Sequence, residues 1–130
     1  MFQDLAVFRT AHAMAMHAGQ KQAVTAQNVA NADTPGYVAR DLPDFVDTFA
    51  PAANDQFAPR ATRASHLHGA REDGSMARMT EDISFAAPDG NTVSIESEML
   101  RATEAKRQHD RALAIYKSAM NILRSSLGRQ

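Results

Sequence analysis

Asn28-Val29-Ala30-Asn31-Ala32-Asp33-Thr34-Pro35-Gly36-Tyr37 decides how this chain folds. Before it lies an alanine-rich stretch that one glycine alone interrupts; after it the chain turns Pro-rich and acidic. Pro35 fixes its own φ and keeps Thr34 out of the α region, so a preceding helix stops here. Gly36 tolerates the positive φ that a type II turn with Pro at its second position requires. Asn28 and Asn31, spaced i and i+3, share one side of the last helical turn, where their amides can bond loose carbonyls or the returning chain. Tyr37 adds a ring to pack and a hydroxyl to anchor.

Outward from this stop, residues 4–29 read as one helix rich in Ala, Gln, Met and Lys. Leu5, Phe8, His12, Ala15, Gly19, Gln22, Ala26 and Val29 follow the 3,4 spacing of a coiled-coil seam. Gly19 weakens such a helix by about 1 kcal/mol but admits a second backbone. A stripe this thin along about 40 Å of helix needs a partner. The partner is at the other end of the chain. Ser94 reads as an N-cap, Glu96 and Glu98 complement the helix dipole, and Gly128 closes a helix ending near Ser126. Met99, Ala102, Lys106, His109, Leu113, Tyr116, Met120, Leu123 and Leu127 keep an unbroken 3,4 spacing, and Ile115, Ala119 and Ile122 widen the stripe. The expected fold is mainly α: long N- and C-terminal helices pair as an antiparallel coiled coil around an irregular middle or a small β-hairpin. Its segments are 1–37, 38–92 and 93–130, with one domain formed by the two ends.

The middle is less regular. Pro43 suits the first turn of a short helix with Phe45 and Phe49 on one face. Residues 51–92 read as disorder or a small hairpin ordered by partners, within an extended, partly disordered 38–92 segment; faint alternation at Met76–Met79 and Ile83–Phe85 points to two short strands.

Composition narrows the function. The 130 residues are 44% hydrophobic but only 6% aromatic, with no Trp and no Cys. Ala-rich helix-on-helix packing fits better than a large globular core. Without Cys there is no disulfide, thiolate nucleophile or Cys-ligated metal. His12 and His17 are not on one helix face, and His66-Leu67-His68 lacks further ligands, so no metal site is expected. No nucleophile motif, phosphate-binding glycine loop or carboxylate pair is present; no catalytic or cofactor-binding residue is assigned. Net charge is −1, and no segment is long and apolar enough to span a membrane, so neither nucleic acid binding nor membrane insertion is expected. Met1–Leu5 lacks the basic and apolar regions of a Sec-type leader.

The opening stretch, through Asn28, Ala30, Asn31, Thr34, Pro35, Gly36 and Tyr37, resembles the N-terminal signature of bacterial flagellar rod, hook and hook–filament junction proteins. Asp89-Gly90-Asn91-x-Val93 with Glu96, Glu98 and Met99 is similar to the C-terminal signature of the family's proximal-rod member; His109 stands where the family has an aromatic. Thr62…His66-Leu67 is similar to a Thr…His element of rod proteins, and Phe45 with Phe49 looks like the short element that engages the export gate. The resemblance implies a structural subunit of the periplasmic rod, in a helical tube that transmits torque and encloses the export channel. Its implied partners are copies of itself, other rod proteins, the adaptor FliE, the MS ring and the type III export gate that exports it. Leu5, Phe8, Leu113, Tyr116, Met120, Leu123 and Leu127 are the expected assembly contacts, because two narrow helices cannot bury two wide apolar faces on each other. The alternative is a helical-hairpin adaptor docking on a partner complex.

Overall fold

The structure is a computed structural model that describes residues 2–49 and 79–128, with side chains from Ala6 onward. Helix α1 spans Phe2–Ala30, strand β1 Ala39–Asp41, the short helix α2 Phe45–Thr48, strand β2 Thr80–Asp82 and helix α3 Ile95–Leu127. The two long helices pack antiparallel: Phe8 and Tyr116 meet edge to face at one end, with ring centroids 5.1 Å apart. At the other end the Asn91 side chain donates to the carbonyls that close α1.

Alanine forms the seam. Ala11 and Ala18 on α1, and Ala105 and Ala112 on α3, are buried at 2%, 0%, 0% and 0% exposure. Thr25 and Glu98 continue the same seven-residue steps and are buried too. Residues seven apart lie on one helix face, and alanine there lets two helices pack with no bulky layer between them. The expected seam is therefore displaced by one position on each helix. His12, Gly19, Gln22, Ala26, Met99, Lys106 and Leu113 face outward, while Phe8 and Ala15 keep their place beside the contact. A Cβ added at Gly19 would meet nothing within 4 Å, so no second backbone approaches there in the subunit. Ranking positions by bulk chose the wrong ridge; small side chains make the contact and bulky ones flank it.

The small sheet is also placed differently from the expected hairpin. β1 follows directly on the helix stop and pairs antiparallel with the distant β2, Ala39 opposite Asp82 and Asp41 opposite Thr80. Ile83–Phe85 is exposed and not a strand, because Asp82 turns the chain by accepting from the Ser84 amide at 3.0 Å. Met76–Arg78, like Thr62, His66, Leu67 and His68, lies outside the described residues. Val24 and Leu42 form the aliphatic core beneath β1. Ser94 caps α3 as its sequence predicts, its hydroxyl accepting from the Ser97 amide at 3.5 Å.

Candidate functional site

The helix stop folds into a joint that ties the two halves of the chain together. The Tyr37 amide donates to the Thr34 carbonyl at 3.2 Å, with Pro35 second and Gly36 third at φ 70°, which is the predicted type II turn. A second left-handed glycine, Gly90 at φ 80°, lies against it: a Cβ there would sit 3.6 Å from the Gly36 Cα. The Gly36 amide donates to the Asp89 carbonyl at 3.1 Å, and the Thr92 amide to the Tyr37 carbonyl at 3.0 Å.

Asn28 is completely buried and acts as a side-chain peptide. Its Nδ2 donates to the Arg40 carbonyl at 2.7 Å; its Oδ1 accepts from the Arg40 amide at 3.1 Å and from the Tyr37 hydroxyl at 3.2 Å. The end of α1 is thereby paired to β1 as if it were a neighbouring strand. Asn31 turns back on its own helix, donating to the Gln27 carbonyl at 2.8 Å, and accepts from the Thr34 hydroxyl at 3.4 Å. Ala30 is exposed and contributes helix continuity only.

Asn91 completes the joint, a role that its place in the Asp89-Gly90-Asn91 stretch of the C-terminal signature does not by itself reveal. Its Nδ2 lies 3.0, 2.7 and 2.9 Å from the carbonyls of Asn31, Ala32 and Thr34. Two amide hydrogens share three acceptors in the turn after Ala30, where the Asn31 and Thr34 carbonyls also accept from the Thr34 and Tyr37 amides. Its Oδ1 accepts from the Val93 amide at 2.7 Å, which buries Val93 at the start of the C-terminal motif.

Arg101 fastens the sheet to α3. Its guanidinium bonds Glu98 at 2.8 Å, bonds Asp82 on β2, and stands 3.7 Å from Asp41 on β1. The Ser84 hydroxyl, the Arg101 guanidinium and the Ser84 amide hold the Asp82 carboxyl at about 2, below its ordinary 3.8. Burial works against the charge on Arg101, but the Asp82 hydrogen bond and the fields of Asp41, Glu98 and Asp82 outweigh it and raise its pKa. Glu98 is thus more than a dipole-complementing acid: it is 1% exposed and anchored by Arg101, whereas Glu96 stays exposed at the helix start. On α1, Lys21 reaches Asp44 at 3.4 Å, and the His17 Nε2 stands 3.0 Å from the Pro43 carbonyl. Phe45 packs edge to face on His17 and stacks on Phe49, ring centroids 5.6 and 4.9 Å apart, so Phe45 packs on α1 and Phe49 on Phe45.

Along both long helices apolar side chains are left uncovered. Leu127 is 80% exposed, Ile122 62% and Leu113 50%, and Val7, Met99, Leu100, Ile115 and Tyr116 are exposed with them. Met120 and Leu123 are half-buried; the side chain of Leu5 lies outside those described. Among the described residues no three His, Asp or Glu gather as metal ligands, and no helix is long and apolar enough to cross a membrane.

A slender helical hairpin, rigidly jointed at one end and apolar on its outside, defines an assembly subunit. The sequence profile described as "Flagella basal body rod protein" matches residues 9–37, the part of α1 and the turn that builds the joint. "Flagellar basal body rod protein FlgB" of Escherichia coli (strain K12) is 31% identical over 117 residues, covering 82% of this chain and 84% of that protein. The protein of the same name from Agrobacterium fabrum is 28% identical over 119 residues, covering 89% of this chain and 88% of its own length. The chain belongs to the FlgB family of flagellar basal body rod proteins. It is a structural subunit of the flagellar basal body rod and assembles with other rod components. Nothing in the structure favours the adaptor alternative.

Proposed function

We propose that this subunit builds the proximal part of the rod, its hairpins packing side by side in a helical tube that encloses the export channel and transmits torque. One observation carries the reading: an alanine seam uses up the smallest side chains inside the hairpin and leaves its aliphatic ridges outside, where they suit contacts between subunits. Heterologous contacts of this kind that do not close a ring generate a helical assembly. The neighbours at the base are FliE, the MS ring and the export gate, and the chain leaves by the flagellar type III route. In the exported chain, before it folds, Phe45 and Phe49 are free of His17 and available to the gate.

Leu113→Asp tests the reading, because Leu113 is half exposed and outside the seam. Cells carrying it are expected to export the variant at the normal level yet to lose swimming and to lack the variant in isolated basal bodies. Normal motility with the variant built into the rod would overturn the assembly role of this ridge.

A further inference from the structure

Charges on α3 are matched along its first half and unmatched along its second. Near the joint Arg101 gathers Asp41, Asp82 and Glu98. In mid-helix Lys106 stands 3.3 Å from Asp110, and Arg107 3.9 Å from Glu104. No carboxylate follows Asp110 on α3. Lys117 and Arg124 are exposed and make no ion pair among the described residues. Seven residues apart, they share one helix face at a spacing of about 10 Å. Leu113, 50% exposed, stands one turn before Lys117 on that face. The chain itself offers little to neutralise these two cations. Among its described side chains α1 carries no carboxylate. Glu96 lies about 30 Å from Lys117 along the helix, far beyond the roughly 8 Å over which exposed charges act at physiological salt. Residues 50–78 carry four arginines against three carboxylates, so they bring no surplus of acid.

We infer that another rod component covers this face of α3 with an acidic helix, its carboxylates opposite Lys117 and Arg124 and an apolar side chain on Leu113. Two cations at a seven-residue interval match carboxylates at the same interval on a helix lying alongside. The exposed leucine beside them gives the contact an apolar centre, with the charges at its rim fixing orientation and excluding wrong partners. A second copy aligned with the first would bring the same cations together, which is unfavourable. Anionic lipid surfaces are held by clusters of about four to eight Lys and Arg, more than this face carries. The inference rests on the rod-subunit reading and adds the chemistry of the neighbour on one face.

A water-soluble carbodiimide joins a lysine amine to a carboxylate with no spacer, so it reports such a contact in the native assembly. Basal bodies carrying the full-length chain are treated with it and the linked peptides are identified by mass spectrometry. The Lys106–Asp110 pair, 3.3 Å apart, supplies an internal mark that the reaction has worked. The expected result is Lys117 joined to an Asp or Glu of another rod component. With the internal link present, an unlinked Lys117 would overturn the inference. So would Lys117 joined only to its own chain's Asp4 or to a carboxylate of a second copy. A second measurement uses Lys117→Glu with Arg124→Glu. Export and helicity are expected to stay normal while incorporation into basal bodies falls at least about fivefold. If helicity falls, Lys117→Gln alone replaces the pair. Full incorporation, or loss only of binding to phosphatidylglycerol vesicles, would overturn the inference and leave the rod assignment standing. Absence of the unmodified protein from basal bodies would overturn the rod reading itself.

Discussion

The two ends of the hairpin are held together by different physics. At the joint, polar groups dominate: Asn28, Asn91 and Arg101 each satisfy several partners with fixed geometry, and two left-handed glycines let the loops touch. At the free end the helices meet through Ala11, Ala112 and one Phe8–Tyr116 contact, while leucine and isoleucine face outward. Hydrogen-bonded networks specify one arrangement because every alternative leaves buried groups unpaired. A seam of alanines stabilises little per residue and leaves the rest of the driving force to be supplied by neighbours. The joint sets the shape of the subunit, and the free end holds its capacity to associate.

The largest blow to that contrast should come from Asn28→Ala. It strips partners from the Arg40 amide and carbonyl and from the Tyr37 hydroxyl, and each unsatisfied buried group costs roughly 1–3 kcal/mol. Amide exchange across residues 36–42 is expected to accelerate about a hundredfold, while residues 6–16 change little; equal acceleration at both ends would show that the hairpin opens as one unit.

Next in size is Ala105→Leu, which forces a branched side chain into the seam at about 1–3 kcal/mol. Chemical denaturation followed by helicity measures it, and an unchanged midpoint would mean that the helices are not closely packed at Ala105.

A smaller effect separates the sheet from both. Asp82 has a folded pKa of about 2 against an ordinary 3.8, so its contribution is complete above about pH 4 and is lost as pH falls toward 2. With its partial exposure it amounts to about 1 kcal/mol. Protection of the β1–β2 amides should fade in that window. Arg101→Gln removes one of the main causes of the depression and should move the fading up toward pH 4. A carboxyl titration of Asp82 that Arg101→Gln leaves in place would assign the depression to Ser84 alone.

Gly19→Ala should do least and in the opposite sense. The added methyl meets nothing within 4 Å, and alanine favours the helix by about 0.5–1 kcal/mol. A higher melting temperature with normal swimming is expected. Raised stability with impaired swimming would show that another copy's backbone occupies this face in the rod.

Much of this was legible in the sequence. The Thr34–Tyr37 turn, the two asparagines at the end of α1, the Ser94 cap and the extent of both helices follow from local stereochemistry, which a short window of residues contains. The seam did not follow, because hydrophobic patterns weigh bulk and the contact is made by alanine. The seven-residue repeats Ala11–Ala18–Thr25 and Ala105–Ala112–Ala119 carry that signal without any large side chain. Asn91 and Arg101 escaped for another reason. Their partners lie some 60 residues away or on three separate elements, and no local pattern encodes such distances.

The amide of Asn91 also imposes an order in time. The carbonyls of the turn that follows α1 take a further donor from 57–60 residues along the chain. Closing so long a loop carries an entropy penalty of several kcal/mol before any contact rewards it, so the turn that ends the first helix is fixed only by a residue far along the chain. A chain whose residue 91 has not yet met its partners cannot lock this joint. The subunit becomes a rigid building piece only once its two halves have met.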